Sequence, residues 1–409
     1  MKKSVLKSYA HLIAACGVNI QKGQDVVIRA SLDQPEFIRI LVEECYKCGA
    51  HDVLIMWEDP TITISHFKHG KLKDLSSMVS WEKERWEHWL KTEPCRIYIE
   101  SDDPGAMLKM PMEKYDKALK AKLPLIRHYR DQMDGIYQWC IAAVPSVGWA
   151  KKVFPELTKA NAVKALWEAI LKVSRAYEGD PIANWDQHDK ALQEKCGILN
   201  SLHLKSLEYK SSNGTDFKVG LISGVNWLAG GEYGKLSRIR FQPNIPSEET
   251  FTSPMKGEAE GVVYASKPLS YRGQIIDKFW FKFKEGKVVD YGAEVGKDLL
   301  TQMLNVDEFA SYLGECALIP YDSPINDTGI LFYSTLFDEN AACHLALGTG
   351  FPSLMEGYEE MTLEEVTKRG INHSASHVDF MIGTRDLSVI GTSIDGTKHV
   401  IFKDGNWAI

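Results

Sequence analysis

The rhythm of apolar and polar positions changes about halfway along this chain. In the first half, short apolar blocks alternate with longer stretches whose apolar residues recur every three or four positions. Residues 9–16 predict a short helix that Gly17 can end, 24–29 a compact strand, 35–47 a helix and 53–57 a second strand. Strand and helix in alternation point to an α/β unit with parallel strands, because a parallel pair needs a crossover long enough to hold a helix. Residues 64–94, rich in Lys, Glu and Trp, predict helix. A strand at 96–100, a turn at Asp103-Pro104-Gly105, a helix at 111–121, a strand at 139–144 and a long helix over 159–177 complete this half.

Near residue 200 the period drops to two. Residues 207–209, 216–221, 261–265 and 275–284 alternate as half-buried antiparallel strands do. Glu285-Gly286-Lys287 predicts a hairpin turn between 279–284 and 288–291. A second hairpin runs from 400–402 through Asp404-Gly405-Asn406 to Trp407. The pattern thus predicts an α/β N-terminal domain over residues 1–195 and a mixed α+β C-terminal domain over 196–409. Gly179-Asp180-Pro181 introduces the boundary. There is no internal repeat and no low-complexity segment.

Composition adds mainly exclusions. With 409 residues the chain can bury two cores. A formal net charge of -7 offers no basic footprint, which argues against a nucleic-acid partner. No apolar run approaches the ~20 residues that span a bilayer. The start, Met1-Lys2-Lys3-Ser4-Val5-Leu6, turns polar again at Ser8 and His11 and lacks the apolar core of a secretory signal. Eight cysteines lie scattered, mostly in apolar stretches, the usage of a reduced cytoplasmic protein. Cys45 and Cys48 form a C-x-x-C with no second pair at zinc-ribbon spacing. On a helix closed by Gly49 they are expected to pack.

Four motifs of the second half carry candidate chemistry. In Asn244-Ile245-Pro246-Ser247-Glu248-Glu249-Thr250-Phe251-Thr252-Ser253-Pro254, two prolines stiffen the backbone around an acidic pair, although a capped helix N-terminus would also account for it. In Leu313-Gly314-Glu315-Cys316-Ala317-Leu318, a lone carboxylate among small and apolar residues needs a cation, either a basic side chain or a metal ion. His344, within Ala342-Cys343-His344-Leu345-Ala346-Leu347-Gly348, is by itself compatible with a core histidine. His377-Val378-Asp379-Phe380-Met381-Ile382-Gly383 is more specific. On an extended strand, positions two apart share a face, so His377 and Asp379 can serve one site. His373, four positions earlier, reads as a surface residue or an outer partner of the site and is not assigned as a ligand. Together Glu249, Glu315, His344, His377 and Asp379 make a mixed oxygen and nitrogen donor set. It suits divalent transition metals better than a thiolate zinc site or an oxygen-only calcium cage.

Along most of its length the chain resembles the thermophilic aminopeptidases, the metallopeptidase family M29. Gly17-Val18-Asn19-Ile20-Gln21-Lys22-Gly23-Gln24 is similar to that family's opening. Trp149-Ala150-Lys151-Lys152-Val153-Phe154-Pro155, Asp180-Pro181, Gly214-Thr215-Asp216 and Pro268-Leu269-Ser270-Tyr271 follow in the family's order, as do the four motifs above. The resemblance implies an α/β N-terminal domain, a catalytic C-terminal domain and a homodimer with an enclosed site. It also implies release of N-terminal residues from peptides with two divalent ions such as cobalt, zinc or manganese, magnesium being a further option. Carried over, the ligands are Glu249, Glu315, His344, His377 and Asp379, with Glu249 preferred to Glu248. Glu315 is then the candidate bridge between ions, and Glu248 the candidate general base and holder of the substrate amine.

One position departs from the family. Its usual Ala-Tyr-Pro stands here as Gly350-Phe351-Pro352, and Phe351 has no hydroxyl to offer metal or substrate. Tyr358 is close by but does not match the motif. Two rival functions remain. His344, His377 and Asp379 alone form the two-histidine, one-carboxylate set of mononuclear iron dioxygenases, some of which resemble this peptidase family. A degenerate peptidase that only binds peptides is the other.

Overall fold

A computed structural model describes residues 1–133, 135–235 and 237–409. The chain divides into two compact units. One comprises Met1–Asp186 with Gly231–Pro246, the other Gln187–Gly230 with Ser247–Ile409.

The first unit is built on a parallel sheet. Strands β1 (Val26–Ser31), β2 (Val53–Glu58), β3 (Cys95–Glu100) and β4 (Trp139–Ala143) pair in the order β4-β3-β1-β2. The short strand Asn244–Ile245 returns from late in the chain to pair in parallel with β4. Ile28, Ile97, Cys140 and Ala142 are buried in it, and the helix Pro35–Lys47 connects β1 to β2. Burial pushes the Cys45 thiol of that helix up to about 12, so it stays a neutral packing group, as expected.

Two helices differ from the sequence expectation. The helix expected at 111–121 runs from Met112 to Met133 and carries Pro124 within it. The segment expected to introduce the domain boundary forms a long helix, Pro181–Ser201, and the change of unit falls within it, between Asp186 and Gln187.

The second unit holds two antiparallel sheets. The larger has nine strands, among them Leu204–Lys210, Asp216–Leu221, Pro254–Tyr264, Gln274–Lys284, Lys287–Val295, Ser388–Ser393 and Lys398–Lys403. Both expected hairpins are present in it. Glu285 and Gly286 have φ of 50° and 77°, and Asp404 and Gly405 have φ of 49° and 73°, the left-handed pair that a two-residue turn matching strand twist requires.

The smaller sheet consists of β5 (Leu228–Ala229), β6 (Thr250–Thr252), β7 (Leu313–Leu318), β8 (His344–Gly348) and β9 (His377–Met381), in the order β9-β8-β7-β6-β5. From Glu315 onward β7 alternates, as do β8 and β9; a register shift separates Leu313 from Glu315. Cys316, Leu318, Leu345, Leu347 and Phe380 point into the core shared with the larger sheet. There the Phe380 ring lies 5.0 Å from that of Phe281 and 6.0 Å from that of Phe279. The opposite face is the one that carries the chemistry.

Candidate metal centre

Register decides which side chains meet. Glu315 of β7 lies opposite Ala346 of β8, which lies opposite Asp379 of β9. Two positions along in one direction, Ala317 lies opposite His344, which lies opposite Met381; two positions along in the other, Gly348 lies opposite His377. Partners directly across antiparallel strands share a face, as do positions two apart. Glu315, His344, His377 and Asp379 therefore project from one side. On the same side Ala317, Ala346 and Gly348 are small enough to leave room between them. Glu249 comes just before β6, two positions from Phe251, which pairs with Ala317.

The five expected residues converge. His344 Nε2 lies 3.4 Å from Glu249 Oε2 and 3.9 Å from Glu315 Oε1. His377 Nε2 lies 3.1 Å from both Glu315 Oε2 and Asp379 Oδ1. They fall into two groups, Glu249 with Glu315 and His344, and Glu315 with His377 and Asp379. Within each group the potential ligand atoms lie within 4.8 Å of one another. Glu315 belongs to both groups, presenting one oxygen to each imidazole.

The imidazole tautomers follow from their outer partners. His344 Nδ1 donates to the Glu339 carbonyl and His377 Nδ1 to the Thr349 carbonyl, each at 2.8 Å. A carbonyl can only accept, so Nδ1 carries the proton and the Nε2 lone pair faces the carboxylates. That is the outer-partner arrangement of metal-ligating histidines. A lone pair aimed at carboxylate oxygens needs a cation or a proton between them.

Electrostatics point the same way. Glu249, Glu315, His344 and Asp379 are all buried. Among the described residues, no lysine or arginine pairs with the three carboxylates. Burial raises the Glu249 carboxyl well above its ordinary range, and the Glu315 and Asp379 charges add to this. At His377 burial opposes the imidazolium, yet the Asp379 and Glu315 carboxylates hold it well above its usual value. Burial opposes ionisation of Asp379 too, but the adjacent His377 keeps its carboxyl below the ordinary value. A set of buried anions with so little positive charge fits divalent cations.

One further group was not read from the sequence. Glu339 lies in the 3-10 turn Glu339–Ala341 just before β8. Burial raises its carboxyl well above the ordinary range, and so do the Asp379, Glu249 and Glu315 charges. It hydrogen-bonds Asp379. Only its position five residues before His344 could have signalled it. Glu248 is buried as well, but its carboxylate lies 3.7 Å from His188 Nε2 and it belongs to neither ligand group. Phe351 sits at the site, its ring centroid 5.1 Å from that of His377 and 5.4 Å from that of Phe251, while its N–H donates to Ser253 Oγ. Tyr358 packs instead against a small core of Ile222, Met355, Val366 and Ile371.

These shifts predict how the metal-free protein responds to pH. Glu249 and Glu339 have raised folded-state values, so their stabilisation is present below about pH 4.5 and is lost as pH rises through the folded values. His377 is raised too, so its contribution is present below 6.5 and is likewise lost on going up. Asp379 acts oppositely, but only in acid below 3.8. Each titrating group costs up to ~1.4 kcal/mol per pH unit. Thermal melts of chelated protein from about pH 5 to about pH 8 should therefore show Tm falling by a few degrees; a flat or rising Tm would contradict this electrostatic account.

Comparison with known proteins agrees with the site. The family model described as thermophilic metalloprotease (M29) matches residues 2–407. Aminopeptidase AmpS of Bacillus subtilis is 39% identical over 405 residues, covering 98% of each chain. Aminopeptidase T of Thermus thermophilus is 36% identical over 411 residues, covering 100% of this chain and 99% of its own. The solved wild-type AmpT of Thermus thermophilus superposes with a TM-score of 0.91 at 35% identity, covering all of both chains. The 2,5-dihydroxypyridine dioxygenase of Pseudomonas putida matches at a TM-score of 0.51 and 12% identity, over 100% of this chain and 98% of its own, a likeness of fold alone. With the match running nearly end to end and a metal-competent cluster on its sheet, the chain belongs to the thermophilic metalloprotease family M29.

Proposed function

We propose that this protein is a metal-dependent aminopeptidase that removes N-terminal residues from peptides at a two-metal site. The observation that carries the proposal is Glu315, whose two oxygens face two different imidazoles, each with its own further carboxylate. Glu249 and His344 would hold one ion, His377 and Asp379 the other, with Glu315 between them. Bound divalent cations would polarise the scissile carbonyl and lower the pKa of an attacking water toward neutrality.

The chain's own groups supply the rest. The Nδ1 hydrogen bonds of His344 and His377 keep both rings oriented with Nε2 toward the site. Glu339, favoured in its protonated form beside Asp379, is suited to hold and return a proton at its carboxyl oxygens. Glu248 is proposed for the free α-amine of the substrate, which calls for an anion, and stays the alternative base. Phe251 and Phe351 give the site an apolar wall. Cobalt, zinc and manganese are the proposed ions.

The catalytic role is proposed for the C-terminal half, with the α/β N-terminal half as its companion domain, in a cytoplasmic homodimer. Eight free cysteines are consistent with a reducing compartment, and no helix among the described residues is long and apolar enough to cross a membrane.

Chelated protein should hydrolyse neither free nor N-acetylated aminoacyl-anilides. Addition of Co2+, Zn2+ or Mn2+ should restore turnover of the free-amine substrates only. Equal cleavage of the acetylated substrates would rule out an aminopeptidase.

A further inference from the structure

We infer that His188 and Asn340 clamp the Ser247–Glu248 peptide group, and that this clamp positions the Glu249 carboxylate and ties it to Glu339. The inference rests on the metal-site assignment proposed above. A peptide group offers one acceptor and one donor, and here both are engaged by side chains. The Ser247 carbonyl accepts from His188 Nε2 at 2.7 Å, and the Glu248 N–H donates to Asn340 Oδ1 at 2.7 Å.

Both clamping side chains are sequestered. Asn340 is fully buried, and the His188 side chain is 11% exposed. They come from distant parts of the second unit, His188 from the helix Pro181–Ser201 and Asn340 from the 3-10 turn Glu339–Ala341. Residues 247–249 belong to no strand, and the ladder of β6 begins at Thr250. Glu249 is thus fixed on one side by the ladder and on the other by the clamped peptide.

Asn340 does more than satisfy the Glu248 N–H. Its amide nitrogen donates to the Leu336 carbonyl at 3.2 Å and to Glu339 Oε1 at 3.4 Å. A single side-chain amide therefore sets the separation between the Glu249 segment and the Glu339 carboxyl. Buried anions need such outer partners, because loss of the support lets the donor set scatter and weakens metal binding. His188 and Asn340 are positioning residues, acting on the site through Glu249 and Glu339.

The test compares metal-free wild type with His188→Gln, His188→Leu, Asn340→Leu and the double variant H188L/N340L. Each is titrated with Co2+ alone and followed by visible d–d absorption, with the metal-free Tm measured in parallel. Gln at 188 retains a nitrogen donor close to the imidazole Nε2, and Leu retains only bulk. His188→Leu and Asn340→Leu should each weaken Co2+ affinity about 10- to 100-fold, while His188→Gln stays near wild type. The double variant should lose little more than the single ones, since both act on one peptide group. If Asn340→Leu fails to fold, the His188 pair decides the matter. Wild-type affinity in His188→Leu, or equal losses in His188→Gln and His188→Leu, would overturn the clamp. Wild type that takes up no Co2+ would overturn the metal-site assignment and the clamp with it.

Discussion

Alanine at Asp379 should abolish hydrolysis of aminoacyl-anilides in metal-reconstituted protein, and alanine at Glu249 should do the same. The two residues sit in different ligand groups, Asp379 with His377 and Glu249 with His344. If both ions are needed, losing either group removes the stabilisation that a divalent cation gives the charge developing on the scissile carbonyl. That stabilisation amounts to several kcal/mol, so a loss of at least about a thousandfold in kcat/KM is expected. The fold should survive in Glu249→Ala, because burial and the Glu315 and Asp379 charges already oppose a carboxylate there, and a metal-free Tm at or above wild type checks this; Asp379→Ala also removes the partner of His377, so its metal-free Tm should lie below that of Glu249→Ala. Turnover retained in either variant would remove that residue from the site.

The second large effect is a gain. The family resemblance implies a tyrosine where this chain has Phe351, and the Phe351 ring already lies 5.1 Å from the His377 ring. Its backbone is held by the hydrogen bond to Ser253 and its ring by Phe251, so Phe351→Tyr should keep this ring position and add one hydroxyl. A donor that stabilises developing oxyanion charge is worth on the order of 100-fold in kcat. A rise approaching that size in kcat, with Co2+ affinity little changed, is expected for Phe351→Tyr and not for Phe351→Leu. An unchanged kcat in Phe351→Tyr would mean that this site stabilises its transition state without a donor there.

How much of the site was legible in the sequence depends on the range of the interaction that builds it. His377 and Asp379 could be placed on one face because a strand repeats every two residues, and that is a local property. Their convergence with Glu315 and His344 depends on the β7-β8-β9 register, set by pairings between residues some thirty positions apart, Glu315 with Ala346 and Ala346 with Asp379. No local pattern encodes that register; the resemblance supplied the ligand set, not the pairing. Glu339 was missed because it lies in a 3-10 turn ahead of its strand, where period-two reasoning has no purchase. The same divide runs through the fold. Both hairpins were legible from their turn residues. The helix Pro181–Ser201 was not, because its mixed Asp, His and Lys content masks the apolar side that Trp185, Leu192, Cys196 and Leu199 bury. Nor was the return of Gly231–Pro246 to the first unit, which rests on the pairing of Asn244–Ile245 with a strand a hundred residues earlier.

The two-histidine, one-carboxylate subset of the donor set poses the sharpest alternative. A mononuclear iron centre would use His344, His377 and Asp379 and leave Glu249 and Glu315 as uncompensated buried carboxylates, whereas a pair of ions engages all five. Anomalous difference maps collected on either side of the metal absorption edge, from one crystal of the reconstituted protein, count ions and identify their ligands together. Two peaks per chain are predicted, one bounded by Glu249, Glu315 and His344 and one by Glu315, His377 and Asp379. A single iron peak held by His344, His377 and Asp379 would contradict the two-metal site.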